Sequence, residues 1–284
     1  MRSMVDTNLD GRVCMVTGAN TGIGRVTALE LARAGGHVIL ACRSEAKAMP
    51  VAEEIKAETG NDKVEFHPLD LNSLAKVKES ATSWLERDLP LHILVNNAGL
   101  AGHRGQTEDG FELQFGVNHM GPFLFTLLLK ERIEASGPAR IVNVASRAHT
   151  RVKGMDYSGV ESKTKTIAGF KEYCYSKLAN VLFNIELAKR LAKGTTTYAL
   201  HPGVIKSDIW RRIPWPIRPL VEMRMISVEE GAMTSLYCAT SDACAGESGL
   251  YYDKSQPKAT NKAATGDAAA ELWAKSEEWC ASFL

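Results

Sequence analysis

The 284-residue sequence predicts an α/β fold, a doubly wound parallel sheet in a single domain. Three observations predict it. Short apolar runs alternate with segments whose apolar residues recur at helical spacing, the βα rhythm of a parallel sheet. The runs are apolar without alternation, as expected of strands covered by helices on both faces. No internal repeat, low-complexity tract or linker interrupts the pattern, and this length can bury one large core.

The elements follow in order. "RVCMVTG" at 12–18 is the first strand and stops at Gly18. "GIGRVTALELARAGG" then carries apolar residues at helical spacing and ends on Gly35 and Gly36, a helix stop. "HVILAC" at 37–42 is the second strand, and "SEAKAMPVAEEIKAETG" a helix with Ser44 as its cap. "KVEFHPLDL", "LHILVNNAG" and "ARIVNVAS" supply three more strands and "TTYALHPG" a sixth. Helical patterns lie near 73–86, 107–133 and 170–193. The least regular part is 204–226, where Pro214, Pro216 and Pro219 exclude a plain helix.

Composition narrows the function. A net charge of +1 argues against a nucleic-acid surface, which needs clustered basic residues. No run of about 18 apolar residues predicts a membrane span. The polar start "MRSMVDTNLDGR" lacks the apolar core of a signal peptide. Six scattered cysteines never form C-x-x-C, so they read as reduced thiols in a cytoplasmic protein with no metal site.

The loop "TGANTGIG" places Gly18, Gly22 and Gly24 between the first strand and first helix. There glycine permits a tight turn, and the backbone N–H groups with the helix N-terminus favour a pyrophosphate. The spacing is G-x-x-x-G-x-G, and alone it also fits an ordinary glycine-rich turn. Its place between strand and helix favours a Rossmann-type dinucleotide site. An acid at the end of the second strand would bind the ribose hydroxyl of NAD. Here that strand ends on Cys42 and Arg43, and Arg25 opens the first helix. The missing carboxylate and the arginines point to NADP(H).

"EYCYSKLAN" at 172–180 offers Tyr173, Tyr175 and Lys177. In a helix Tyr173 and Lys177 are i and i+4 and share a face, while Tyr175 points elsewhere. A nearby ammonium lowers the pKa of a phenol, so Tyr173 with Lys177 makes a tuned proton donor. As a bare Y-x-x-x-K the pattern is also common on helix surfaces.

The motifs together carry a resemblance. "TGxxxGIG" at 17–24, "NNAG" at 96–99, "VNHMG" with Asn118, "NVAS" with Ser146, "YCYSK" with Tyr173 and Lys177, and "HPG" at 201–203 occur in order. The chain resembles the short-chain dehydrogenase/reductase superfamily over about residues 8–284. "NHMGPFLFTLLL", "YCYSKLANVLF", "HPGVIKSD" and the closing "SGLYYDKSQPK" make it most similar to the retinol dehydrogenase-like group. Light-dependent protochlorophyllide reductases are a more distant comparison.

The resemblance implies that Tyr173 exchanges a proton with the substrate oxygen and Lys177 lowers its pKa and holds the nicotinamide ribose. It gives Ser146 a hydrogen bond to the substrate oxygen, and Asn118 the ordering of a relay water. Cofactor contacts are implied for Gly18, Asn20, Thr21, Gly22, Ile23, Gly24, Arg25 and Arg43. The same holds for Asp70, Leu71, Asn97, Ala98, Gly99, Asn118, Tyr173 and Lys177, and for Pro202, Gly203, Val204 and Ser207. Ser207 stands where threonine is frequent, and Pro122 where histidine is common. Asn118 and Ser146 also fit a role in pinning turns, and His201 reads as a satisfied core histidine.

The 27 residues from Ser146 to Tyr173 exceed the usual superfamily spacing, so 147–169 reads as an excursion at the active-site mouth. Tryptophans and arginines of 204–226 suit a lid over an apolar substrate, with at most weak membrane-surface contact. The expected protein is one domain over 1–284, with a cofactor half at about 8–145 and a catalytic and substrate half at about 146–284. Its expected activity is hydride transfer between NADP(H) and an alcohol or carbonyl group of a lipophilic small molecule, as a monomer or homodimer. The alternative is a catalytically silent NADP(H)-binding sensor or scaffold, against which the Asn–Ser–Tyr–Lys set argues. A nucleotide-sugar epimerase would need a longer C-terminal domain.

Overall fold

The computed structural model describes residues 4–203 and 226–284. Among them one eight-stranded sheet runs in the order β3-β2-β1-β4-β5-β6-β7-β8. Its strands are β1 (Val13–Thr17), β2 (His37–Cys42), β3 (Val64–Pro68), β4 (Ile93–Asn96), β5 (Ala139–Val144), β6 (Thr195–His201), β7 (Tyr251–Asp253) and β8 (Gln256–Pro257). All neighbours are parallel except β7 and β8. The helices are α1 (Gly22–Arg33), α2 (Glu45–Thr59), α3 (Leu74–Leu85), α4 (Leu113–Phe115), α5 (Gly121–Ala135), α6 (Phe170–Arg190), α7 (Val228–Thr240) and α8 (Gly266–Trp279). The doubly wound sheet and its six expected strands are all present, and β7 and β8 are additional.

Strand residues alternate between two cores, because successive side chains leave a strand on opposite faces. Met15, Ile39, Leu94 and Ile141 pack with α3, α5, α6 and α8 on one side. Cys14, Val16, Val38, Leu40 and Val142 pack with α1, α2 and α7 on the other. Both faces are covered, so the strands read as continuous apolar runs. Phe123 of α5 meets Phe183 of α6 at 5.4 Å and Trp273 of α8 at 5.1 Å, tying three helices together. Each such fully buried side chain contributes roughly 1.5–3 kcal/mol. Polar residues stitch the sheet centre: Asn96 Nδ2 donates to Asn143 Oδ1 at 3.0 Å, and Asn143 Nδ2 to Thr197 Oγ1 at 3.1 Å.

The sequence and structure differ at three places. Helix does not begin at 107. Gly110 takes a φ of 89° in a turn, and Glu112 caps α4 by accepting from the N–H groups of Gln114 and Phe115, each at 2.9 Å. The helical rod is then interrupted by a π turn, Gly116–Met120, before α5. Ser44 takes the extended N-cap conformation of α2, but its side chain makes no capping bond. The helix read over 170–193 ends at Arg190.

The excursion 147–169 holds only short 3-10 turns, Arg147–Arg151 and Tyr157–Gly159. Among the described residues no helix is long and apolar enough to cross a membrane, and no cluster of three His, Cys, Asp or Glu could hold a metal. All six cysteines are free and buried.

Candidate active site

Chain order reverses between β1 and β4, which both leave their carboxyl ends toward one crevice. The glycine loop lies at that end of β1. A Cβ on Gly24 would sit 2.5 Å from both Asn97 Nδ2 and the Gly18 carbonyl oxygen, so α1 can approach the loop this closely only with glycine there. Gly22 takes a φ of 56°, and a Cβ there would meet nothing within 4 Å, leaving bare backbone in the wall. Thr21 caps α1 without a side-chain bond, and the first turn holds no acidic residue. The positive end of the helix is therefore left for an external anion, which fits a dinucleotide pyrophosphate.

The loop after β4 is fastened to β1. Thr17 Oγ1 accepts from the N–H groups of Asn97 at 3.0 Å and Ala98 at 2.9 Å, and Asn97 Nδ2 donates to the Thr17 carbonyl at 2.8 Å. A Cβ on Gly99 would lie 3.1 Å from Asn118 Oδ1 and 3.5 Å from Lys177 Nζ, so glycine keeps this wall thin beside both polar groups.

Asn118 sits in the π turn, almost fully buried. Its Oδ1 accepts from Leu100 N–H at 2.8 Å, and its Nδ2 donates to the Leu100 carbonyl and to Ser176 Oγ, each at 2.9 Å. Both amide protons are committed, so only a lone pair on Oδ1 is left for a water.

Ser146 follows β5, and Tyr173 and Lys177 lie one turn apart on α6. Burial raises the Tyr173 pKa above the ordinary phenol value, and the neighbouring Ser146 side chain acts in the opposite direction. Lys177 Nζ donates to the Val144 carbonyl at 2.8 Å and lies 5.8 Å from the Tyr173 ring centre. Burial pushes the Lys177 ammonium down to about 8. At neutral pH that ammonium still carries its charge beside Tyr173. Tyr175 packs against the apolar core, with Lys171 over its ring at 5.5 Å.

These groups share a cleft of about 1470 Å³. Gly18, Asn20, Thr21, Gly22, Ile23, Gly24, Arg43, Asp70 and Leu71 line one end, and Asn97, Ala98 and Gly99 the middle. Ser146, Tyr173, Lys177, Pro202 and Gly203 belong to the same wall. Arg43 is exposed there and makes no ion pair among the described residues. Two residues expected at the cofactor stand apart from this lining: Arg25, which pairs with Glu54, and Asn118, which lies behind the wall. Val204, Ser207 and nearly all of 204–226 lie outside the described residues.

Sequence reasoning missed part of the lining. Leu100, Ala101, Leu113, Val117, Ile167 and Phe170 add apolar residues to the lining, and Arg147 and Arg151 belong to it too. Their only signal is adjacency to the motifs and to the excursion, which does lie at the cleft. His201 also lines it. It is buried, and among the described residues neither ring nitrogen has a hydrogen-bond partner. Burial holds its pKa down at about 4.

Comparison with known proteins agrees with this geometry. Residues 12–215 match the short chain dehydrogenase family. The chain is 42% identical to human retinol dehydrogenase 12 over 277 residues, 94% of this chain and 86% of that protein. It is 42% identical to human dehydrogenase/reductase SDR family member 13 over 281 residues, 95% and 73% of the two chains. A crystal structure of an uncharacterized protein from Mycobacterium paratuberculosis matches with a TM-score of 0.77 and 31% identity, over 98% of this chain and 97% of that one. A gluconate 5-dehydrogenase from Burkholderia cenocepacia, in complex with NADP and tartrate, shares the fold with a TM-score of 0.69 and 24% identity, over 88% and 97%. The chain belongs to the short chain dehydrogenase family, within it is retinol dehydrogenase-like, and is an oxidoreductase.

Proposed function

We propose that the chain interconverts an alcohol and a carbonyl on a lipophilic small molecule, with NADP(H) as the hydride carrier. The observation that carries this reading is that Ser146, Tyr173 and Lys177 line one cleft together with the glycine loop. Bound nicotinamide supplies or accepts the hydride. Gly18 to Gly24, Asp70, Leu71 and Asn97 to Gly99 hold the dinucleotide, with Pro202 and Gly203 at its nicotinamide end. At the opposite end, Arg43 after β2 favours a 2′-phosphate on the adenosine ribose.

Ser146 donates a hydrogen bond to the substrate oxygen, and Tyr173 gives that oxygen its proton in reduction or takes it in oxidation. Lys177 holds the nicotinamide ribose from behind Tyr173. Asn118, with its amide protons committed, shapes the floor through Leu100 and Ser176 and offers one lone pair to a relay water. The chain acts as one domain over 1–284, its cofactor half at about 8–145. Leu100, Leu113, Val117, Ile167 and Phe170 suit an apolar substrate, a reading in keeping with the retinol dehydrogenase relatives.

The test is NADPH oxidation across a chain-length series of aldehydes, for the parent and for Tyr173→Phe. Rising kcat/KM with chain length, and loss of turnover in Tyr173→Phe with NADPH binding kept, are the expected results. A flat series would remove the lipophilic substrate, and an active Tyr173→Phe the assigned proton donor.

A further inference from the structure

Behind Ser146 the structure holds a second polar assembly. The carbonyl oxygen of Ser146 accepts from the backbone N–H of His149 at 3.2 Å and faces His149 Nδ1 at 2.6 Å. The other ring nitrogen, Nε2, accepts from the backbone N–H of Asn261 at 3.2 Å. Asn261 comes from the segment between β8 and α8, more than a hundred residues away in sequence. Its side-chain amide donates to the carbonyls of His149 at 2.8 Å and Val152 at 2.5 Å, and its Oδ1 accepts from Ala263 N–H at 3.0 Å.

These partners leave no freedom in the proton positions. A backbone N–H only donates, so Nε2 must accept; a carbonyl only accepts, so Nδ1 must carry the proton. His149 is the neutral Nδ1–H tautomer, and its near-complete burial agrees with a neutral ring. The ring is further held against Tyr251, with centres 4.7 Å apart. On the other side of the same residue, Ser146 Oγ accepts from Ala148 N–H at 3.2 Å, which leaves its O–H to face Tyr173 and the cleft.

We propose that His149, fixed in its Nδ1–H tautomer by Asn261, is a positioning residue that sets the orientation of Ser146 toward Tyr173. This rests on the reading of Ser146 and Tyr173 given above. The C-terminal segment thereby reaches the proton-transfer pair without touching the cleft, since neither His149 nor Asn261 is part of its lining.

Three measurements test it. In the native protein, ¹⁵N shifts of the His149 imidazole are expected to show a protonated Nδ1 and an unprotonated Nε2; the reverse tautomer overturns the proposal. Asn261→Ala and His149→Phe are expected to lose kcat by up to 10²-fold, the order found when a reacting group is misplaced by about 1 Å. KM for NADP(H) should stay at the parent value. In alcohol oxidation the pH limb assigned to Tyr173 should move up, because the Ser146 side chain that lowers its pKa is no longer held toward it. His149→Asn, whose amide reaches the Nδ1 position, should recover part of the loss. Variants with a lower Tm but parental kcat and pH limb would make the assembly a structural tie only and overturn the proposal. Ser146→Ala separates the two readings. If it is inactive while the His149 and Asn261 variants are not, this inference alone fails; if it is fully active, the functional reading of Ser146 fails and takes this inference with it.

Discussion

Lys177→Met should stabilise the cofactor-free protein at neutral pH while abolishing turnover. The ammonium of Lys177 is buried, its charge met by a single bond to the Val144 carbonyl. Burial takes its pKa from the ordinary 10.5 down to about 8. That gap corresponds to a destabilisation of about 3 kcal/mol. Methionine removes the charge and keeps most of the volume. It also removes the bond to Val144, whose carbonyl keeps only a long contact from Asn180 Nδ2 at 3.4 Å; a weakened buried carbonyl costs about 1–2 kcal/mol. A net gain of about 1–2 kcal/mol remains, or about 2–6 °C in Tm for a chain of this size.

The sign depends on pH. Below about 8 the lysine is protonated in both states and the penalty is complete. Between 8 and 10.5 the folded state holds fewer protons than the unfolded, so the penalty shrinks as pH rises. Above 10.5 only the lost bond is left, and the variant should be the less stable protein. Thermal melts of both proteins at pH 7 and pH 10.5 check this. A variant less stable at pH 7, or a Tm difference that does not change with pH, would refute the reasoning.

Two further outcomes are expected. Arg43→Ala should narrow the ratio of kcat/KM for NADPH over NADH by about 1.5–3 kcal/mol, the worth of one charge-assisted bond; steady-state kinetics with both cofactors measure it, and a parent without preference contradicts it. His119 is buried among Phe115, Phe123 and Phe183, and burial pushes its pKa down to about 3. Because the unfolded chain takes up that proton from pH 6.5 downward, the parent should lose about 2 kcal/mol from this residue alone on going from pH 7 to pH 5. His119→Phe should lose less by that amount in urea titrations at the two pH values, and equal losses would refute it.

What the sequence shows best is what the chain does locally. "HVILAC" reads as a strand because both faces of β2 are covered, and Tyr173 and Lys177 read as neighbours because helical spacing places them so. The choice of Tyr173 over Tyr175 follows from that spacing, and the structure puts Tyr173 in the cleft wall and Tyr175 against the core. What it shows poorly is what depends on distant partners. The β7–β8 hairpin turns on Lys254 and Ser255, both at positive φ, where glycine or asparagine would have signalled a turn. The start of α4 depends on Glu112 turning its carboxylate back on Gln114 and Phe115, which pattern alone does not distinguish from a surface acid.

The same distinction separates the two halves of the site. The groups that would meet a ligand sit on motifs at strand ends, where parallel strands converge on one crevice, and a reader of the sequence can find them one motif at a time. Some of the groups that hold those motifs come from the C-terminal third. Asn261 ties His149 and Val152 behind Ser146. Ser276 meets His119 one residue from Asn118, at 3.0 Å. The Leu250 carbonyl accepts from Asn184 on α6, at 3.2 Å. Asn261 and Ser276 lie in no motif, and each meets a buried side chain or backbone group. A buried polar group left without its partner costs about 1–3 kcal/mol, so each tie also restricts the positions its strand-end loop can take. The placing of Ser146 and of the turn that holds Asn118 therefore also depends on partners from the segment before α8 and from α8 itself.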